Sequence, residues 1–313
     1  MSFSGEVKEE LTKHVSASRH CQLAELAALI HFCGSFKEID GMSALCFQTE
    51  NQSVIRKYFT LLEKTFNIGI DVVRETIKKE NKNHSYSFLL EEEKLVYKIL
   101  QTVKLLDIKE ETQSFEQPVN AMLIKNSCCQ RAFLRGTFLA AGSMSDPEKS
   151  YHLEIVCTNN MQAVQIRDMI QGFGIDAKIV LRKKYNVVYL KEGQSIADLL
   201  NVMEAHVSLM EFENFRIVKE MRNSINRRVN CEAANITKTV NASSKQIEDI
   251  LLIRDHYGFH NLQDNLREMA EIRLDYPDAT LKELGQYLNP PVGKSGVNHR
   301  LRKLSELAER IRM

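Results

Sequence analysis

Leu26-Ala27-Ala28-Leu29-Ile30-His31-Phe32-Cys33-Gly34-Ser35 is matched, 108 residues later, by Leu134-Arg135-Gly136-Thr137-Phe138-Leu139-Ala140-Ala141-Gly142-Ser143. Each stretch is a short apolar helix pattern that runs into Gly-Ser and then into a strand pattern. A repeat of this kind sets the architecture, because each copy folds as one supersecondary unit. The correspondence continues outward. A strand pattern at Ala44–Gln48 matches one at His152–Cys157, and helix patterns follow at Val54–Phe66 and Met161–Phe173. Both helices lead to the same tripeptide, Gly69-Ile70-Asp71 and Gly174-Ile175-Asp176, now 105 residues apart. A glycine there suits the left-handed end of a helix. Strand pairs close each unit: Val72–Ile77 with Tyr86–Leu90, and Lys178–Leu181 with Val187–Leu190. The unit reads α-β-β-α-β-β-α, twice.

The two motif helices resemble those of the LAGLIDADG homing endonucleases. The resemblance implies that the helices pack against each other with small residues facing, a role that the aligned Ala28 and Gly136 fit. It also implies two saddle-shaped sheets that straddle DNA. Nuclease chemistry in that family needs an acid immediately before each motif glycine, where the pair holds a divalent metal that activates water. Here those positions are Cys33 and Ala141. Neither offers the oxygen ligand that a hard cation demands. Glu38, Asp40 and Asp146 fall in the turns that follow. The expectation is a nuclease scaffold without catalytic residues, metal or cofactor, and hence not an enzyme.

Beyond Ser244 the strand patterns stop. Helix patterns occupy Ser244–His256, Leu262–Asp275, Leu281–Leu288 and Gly296–Ile311. Thr280 with Glu283 spells a capping box, and Pro277 and Pro290-Pro291 bracket the third helix. Ser295 is placed to cap the last helix. Two short helices joined by a compact turn read as a helix-turn-helix. In the last helix Val297, Leu301, Leu304, Ala308 and Ile311 form one apolar stripe. Ser295, His299, Arg302 and Lys303 lie opposite it, with Asn298 and Arg300 on the flanks. A recognition helix offers its N-terminal residues to base edges. Asn298, His299 and Arg302 suit bases, and Lys294, Arg300 and Lys303 suit phosphates. The bland alternative is a solvated basic face whose Arg310 and Arg312 complement the helix dipole.

A second basic cluster, Arg182, Lys183 and Lys184 with Tyr185 and Tyr189, marks the last strand pair. It reads as a weaker DNA contact or as an edge strand guarded by lysines. Alternation puts Arg182 and Lys184 on one face and Lys183 on the other. The stretch 222–243 is rich in Asn and carries Arg222, Arg227, Arg228 and Lys238. Because Asn and Ser favour turns and caps, it reads as a linker, with Arg227 and Arg228 as further DNA contacts.

The 313 residues suit two or three domains. The net charge of +1 gives no global pull toward nucleic acid. The charge is uneven, however: residues 222–313 hold 15 Lys and Arg against 12 Asp and Glu. No long apolar run or secretory signal is seen, so no membrane association is expected. The seven cysteines lack C-x-x-C spacing and read as buried reduced thiols, not as a zinc site. His31 reads as a packed or surface histidine. Gly293-Lys294-Ser295 is rejected as a phosphate loop, since Leu288 stands where the first glycine belongs and no strand precedes it.

Residues from one end of the chain to the other carry a further resemblance. Ser2-Phe3-Ser4, Val7-Lys8-Glu9-Glu10-Leu11, Arg228-Val229-Asn230-Cys231-Glu232-Ala233-Ala234-Asn235, Gln246-Ile247-Glu248-Asp249 and Lys294 to Leu304 are similar to the signature of the WhiA family. The fold class expected is α+β: a pseudo-symmetric, duplicated LAGLIDADG-like domain followed by an all-α helix-turn-helix domain. The boundaries expected are 1–221 (repeats of about 1–110 and 111–221), a basic linker 222–243, and 244–313. The resemblance implies a bacterial, cytoplasmic, nucleoid-associated regulator of transcription. Its setting would be sporulation, cell division or chromosome segregation, with double-stranded DNA and a protein of those processes as partners. A monomer is expected. The alternatives are a protein-interaction scaffold and a nuclease that uses other acids.

Overall fold

The structure is a computed structural model that describes residues 2–39, 42–68, 73–80, 83–105 and 117–313. It divides into two compact units, Met1–Lys219 and Glu220–Met313.

The first unit opens with α1 (Phe3–Lys13), and the first repeat follows: α2 (Arg19–Cys33), β1 (Gly34–Ile39), β2 (Met42–Thr49), α3 (Gln52–Phe66), β3 (Val73–Glu80), β4 (Asn83–Leu90) and α4 (Glu93–Thr102). The second is α5 (Ser127–Ala141), β5 (Gly142–Met144), β6 (Leu153–Cys157), α6 (Asn160–Gln171), β7 (Lys178–Arg182), β8 (Tyr185–Leu190) and α7 (Gly193–Val202). The two sheets share one antiparallel order, β1-β2-β4-β3 and β5-β6-β8-β7. Equivalent residues take equivalent partners: Gly34 faces Phe47, and Gly142 faces Ile155. The α-β-β-α-β-β-α reading therefore holds for both halves. Gly174 is left-handed at φ +80°. In the first repeat a left-handed residue, Asn67 at φ 56°, ends α3, and Gly69-Ile70-Asp71 lie outside the described residues.

The core centres on α2 against α5. A Cβ on Gly136 would stand 2.6 Å from the Glu25 carbonyl oxygen and 2.9 Å from the Ala28 Cβ. The absent side chain is thus what lets the helices approach. Beside this contact lies a buried ionic cluster. Glu25 is fully buried, with Lys57 Nζ at 3.0 Å and Arg135 Nε at 3.2 Å. Arg135 also reaches Glu204 at 2.5 Å and donates to Ser16 Oγ at 2.9 Å.

His31 is packed, as one of its two readings had it. Gln162 Oε1 accepts from the Thr158 hydroxyl at 2.9 Å, which turns its amide nitrogen toward His31 Nε2 at 2.8 Å. That ring nitrogen must accept, so it must be deprotonated. Burial lowers the His31 pKa from 6.5 to about 4. The folded state therefore binds this proton less readily than the unfolded chain. Stability is complete above pH ~6.5, falls as pH drops toward 4, and levels off below that. At ~1.4 kcal/mol per pH unit the loss totals about 3 kcal/mol. Urea unfolding at pH 7 and pH 4 should show it, and a His31→Asn variant should show a correspondingly smaller loss. An unchanged loss in the variant would assign the proton elsewhere.

The linker expectation is corrected. Residues 222–243 are helical throughout, inside α8 (His206–His256), so helix does not begin at Ser244. The reason is the absence of breakers. No Gly or Pro occurs from His206 to Tyr257, and the weak aversion of Asn and Ser for helix interiors is small beside theirs. Gly258, at φ +79°, is the first glycine after it.

In the second unit the end of α8 is followed by a 3-10 turn (Phe259–Asn261), α9 (Asp264–Asp275), α10 (Leu281–Tyr287) and α11 (Lys294–Arg312). Val297, Leu301, Leu304 and Ala308 of the expected stripe are buried against Ile250, Ile253, Met269 and Leu284. One cap is corrected: α11 starts at Lys294 with Gly293 as N-cap, so Ser295 lies inside the first turn and does not cap. The thiol expectation is corrected too, because Cys128 and Cys231 are exposed and Cys33 is half-buried. Among the described residues no helix is long and apolar enough to cross a membrane.

Candidate nucleic-acid interface

The helix-turn-helix is built from local rules. Thr280 and Glu283 form the capping box that starts α10. The turn then folds back tightly: Val292 N–H donates to the Gly285 carbonyl at 2.9 Å. A Cβ at Gly285 would sit 2.1 Å from the Val292 carbonyl oxygen. Glycine is required there by close approach, which the sequence alone does not reveal. Glu268 on α9 accepts from Asn289 N–H at 2.8 Å and pins the turn. At the far end of α11, Arg312 lies 2.8 Å from the buried carboxylate of Asp249.

These contacts leave one face of α11 in solvent. Lys294, Ser295, Asn298, His299, Arg302 and Lys303 are all exposed. They follow i, i+3 and i+4 steps, so they are surface neighbours. Arg302 pairs within the helix with Glu306 at 3.1 Å and remains 77% exposed. Arg300 is different. It is turned inward, 3.6 Å from Glu268 and donating to the Asn265 carbonyl at 3.4 Å. The structure therefore uses Arg300 to hold α11 on α9.

A concavity of about 470 Å³ opens beside the N-terminus of α11. Arg273, Lys282 and Lys294 bring three cations to it, with Gln246, Thr280 and Asn298. Arg273 is only 3% exposed and donates to the Ala279 carbonyl at 2.6 Å. Burial lowers its pKa, and nearby Asp278 opposes the shift. Sequence reasoning missed Arg273 and Lys282. Lys282 could have been found as a cation two residues past a cap; a buried Arg273 has no local signal.

In the first unit the residues at the helix junction do not fit a hard divalent cation. Cys33 is half-buried, and burial pushes its thiol up to about 12, with Lys8 opposing. Lys8 lies 5.9 Å from the Phe138 ring centroid. A cation and an undissociated thiol thus stand where the homing fold needs oxygen anions, and Ala141 supplies no ligand. Asp146 is held in its own turn, accepting from Glu148 N–H at 3.0 Å. Asp40 lies outside the described residues.

The basic hairpin is exposed, but its alternation is corrected. Arg182 pairs with Tyr185 across the ladder, so Lys183 and Lys184 form the two-residue turn and do not alternate on a strand. Lys183 takes φ 57° there. Arg182 is tethered to Glu154 at 2.9 Å. β7 is an edge strand. Arg227 and Arg228 are exposed on α8.

Fold and site together define a duplicated LAGLIDADG-like domain followed by a helix-turn-helix domain. Three family models match in that order: the WhiA N-terminal LAGLIDADG-like domain at 19–106, the WhiA LAGLIDADG-like domain at 130–222, and the WhiA C-terminal HTH domain at 225–308. This chain belongs to the WhiA family. A probable cell division protein WhiA of Lachnoclostridium phytofermentans is 56% identical, covering 100% of both chains. One from Alkaliphilus oremlandii is 50% identical over 99% of this chain and 98% of its own. The crystal structure of full-length DUF199/WhiA from Thermatoga maritima is similar at TM-score 0.60 and 26% identity, covering 99% of each chain.

Proposed function

We propose that this protein is a DNA-binding transcriptional regulator without nuclease activity, acting in cell division and chromosome segregation or in sporulation-type development. The observation that supports it most is the exposed face of α11, where Lys294, Ser295, Asn298, His299, Arg302 and Lys303 stand free of the core. Asn298, His299 and Arg302 are assigned to base edges, and Lys294 and Lys303 to phosphates. Arg273 and Lys282 add positive charge beside Lys294. Arg300 serves this reading by positioning α11. Arg182, Lys183, Lys184, Arg227 and Arg228 are assigned weaker contacts that carry no sequence information. In this division of labour 1–221 is the inactive nuclease-like domain, 222–243 the basic connecting stretch and 244–313 the reader. Association with the nucleoid follows from DNA binding. The division role takes support from relatives named as probable cell division proteins.

The test uses the full chain. A duplex enriched from a random library should bind more tightly than its scrambled version, and the enrichment should vanish when the α11 face is substituted. Supercoiled plasmid with Mg²⁺ or Mn²⁺ should stay uncut. Cutting that copurifies with the protein would replace this reading with a nuclease that uses other acids. DNA binding without sequence preference, with regulation lost on changing only the first unit, would favour the protein scaffold.

A further inference from the structure

His20-Cys21 and Cys128-Cys129 occupy the same places in the two repeats, 108 residues apart, like the motif helices that carry them. Each dipeptide lies in the first turn of its helix, α2 from Arg19 and α5 from Ser127. The packing of the two helices brings all four side chains together. One ligand atom from each of His20, Cys21, Cys128 and Cys129 lies within 4.8 Å of the others. His20 Nδ1 is 3.2 Å from Cys129 Sγ and 3.3 Å from Cys21 Sγ. A tetrahedral zinc ion, with bonds of about 2.0–2.3 Å, sets its donors roughly 3.5–3.8 Å apart. The cluster needs only a small adjustment to reach that geometry.

From this geometry we infer that His20, Cys21, Cys128 and Cys129 form a structural site for a zinc-class divalent cation, which clamps one repeat to the other at their pseudo-twofold axis. Three thiols and one imidazole match the commonest ligand types of closed zinc sites. The sequence conceals the site because neither pair has C-x-x-C spacing. Exposure supports a site over plain packing. Cys21 and Cys129 are buried, whereas His20 and Cys128 face solvent, which gives an ion a way in.

Charge supports it as well. On binding, each thiol releases its proton to solvent as its sulfur–metal bond forms. Three thiolates, a neutral imidazole and a dication leave a net charge of −1. That charge falls at the N-termini of two 15-residue helices, where helix dipoles favour anions and thiolates. Neither N-cap side chain, Ser18 or Asn126, bonds to its helix; the Cys21 and Cys129 amides donate to the Ser18 and Asn126 carbonyls, so it is the dipole of each first turn that favours the anion.

The full-length protein, purified anaerobically with a mild reductant, should retain one zinc per chain by native mass spectrometry. Cobalt(II) should replace it with thiolate-to-cobalt charge-transfer bands and tetrahedral ligand-field intensity. X-ray absorption at the zinc edge should fit three sulfurs at ~2.3 Å and one nitrogen at ~2.0–2.1 Å. The solvent-facing double variant His20→Ala with Cys128→Ser should fold, as judged by circular dichroism. It should bind zinc at least about 100-fold more weakly, a loss already reached by changes outside the ligand shell. Cys231→Ser, in the second unit, should bind like wild type. Absence of both retained zinc and the cobalt spectrum in the wild type would overturn the site. So would an unaltered cobalt spectrum in the double variant, or a wild-type disulfide among these cysteines that persists under reductant with zinc in excess.

Discussion

Replacing Glu25 with alanine destabilises the first unit by about 3–5 kcal/mol, the cost of leaving buried charge uncompensated. Glu25 is 0% exposed, and its ion partners Lys57 and Arg135 are 0% and 1% exposed in their side chains. Arg135 keeps Glu204 after the change, so Lys57 is the more damaged partner. Burial lowers the Lys57 pKa, and the charge of Glu25 opposes that. Without Glu25 the ammonium is left, among the described residues, with backbone carbonyls, those of Leu11 and His14. The signature is therefore specific. A compensating Lys57→Met change should recover part of the loss, because an apolar replacement removes the orphaned charge. Equilibrium urea unfolding of the single and double variants measures both effects. A loss below about 1 kcal/mol in Glu25→Ala would show a cluster held no more strongly than an exposed ion pair.

Changing Asn298 and Arg302 together to alanine should remove most discrimination between a specific site and scrambled DNA. Each good bidentate base contact contributes roughly 1–3 kcal/mol of discrimination. The double variant should therefore bind the specific duplex about a hundredfold more weakly, near the nonspecific level. Lys303→Ala should behave differently, weakening all sequences alike and lowering the salt slope by about one unit. Folding should survive these changes, since all three residues are exposed and none lies on the buried stripe. Arg300→Ala serves as a contrast. It should cost stability of the second unit through its contacts with Glu268 and Asn265. If the Asn298 and Arg302 variant keeps wild-type preference for the specific duplex, α11 is not the reader, and the duplicated domain becomes the place to look.

Local and periodic features were legible from the residues alone. Twofold alternation and helical spacing placed both copies of the α-β-β-α-β-β-α unit. The capping box at Thr280 and the four buried positions of the α11 stripe followed from the same rules. Period suffices there because each side chain's face is set by its own backbone. The failures were local as well. Asn and Ser in 222–243 suggested turns, yet a helix runs through them because nothing breaks it. Ser295 suggested a cap, yet the backbone turns helical one residue earlier.

Which distant groups meet is set by the packing of elements in space. Glu10 accepts from the Val207 and Ser208 amides at 2.8 Å and so caps α8 across nearly 200 residues of chain. Glu25, Lys57 and Arg135 converge from three helices. His20 and Cys21 meet Cys128 and Cys129 only because α2 and α5 pack in register. Arg300 turns inward because Glu268 is there, while Arg302, two residues on, stays in solvent. Such contacts depend on the crossing of elements through space, and no short-range pattern encodes that crossing. The repeat supplied the two helices; the close approach allowed at Gly136 decided what lies between them.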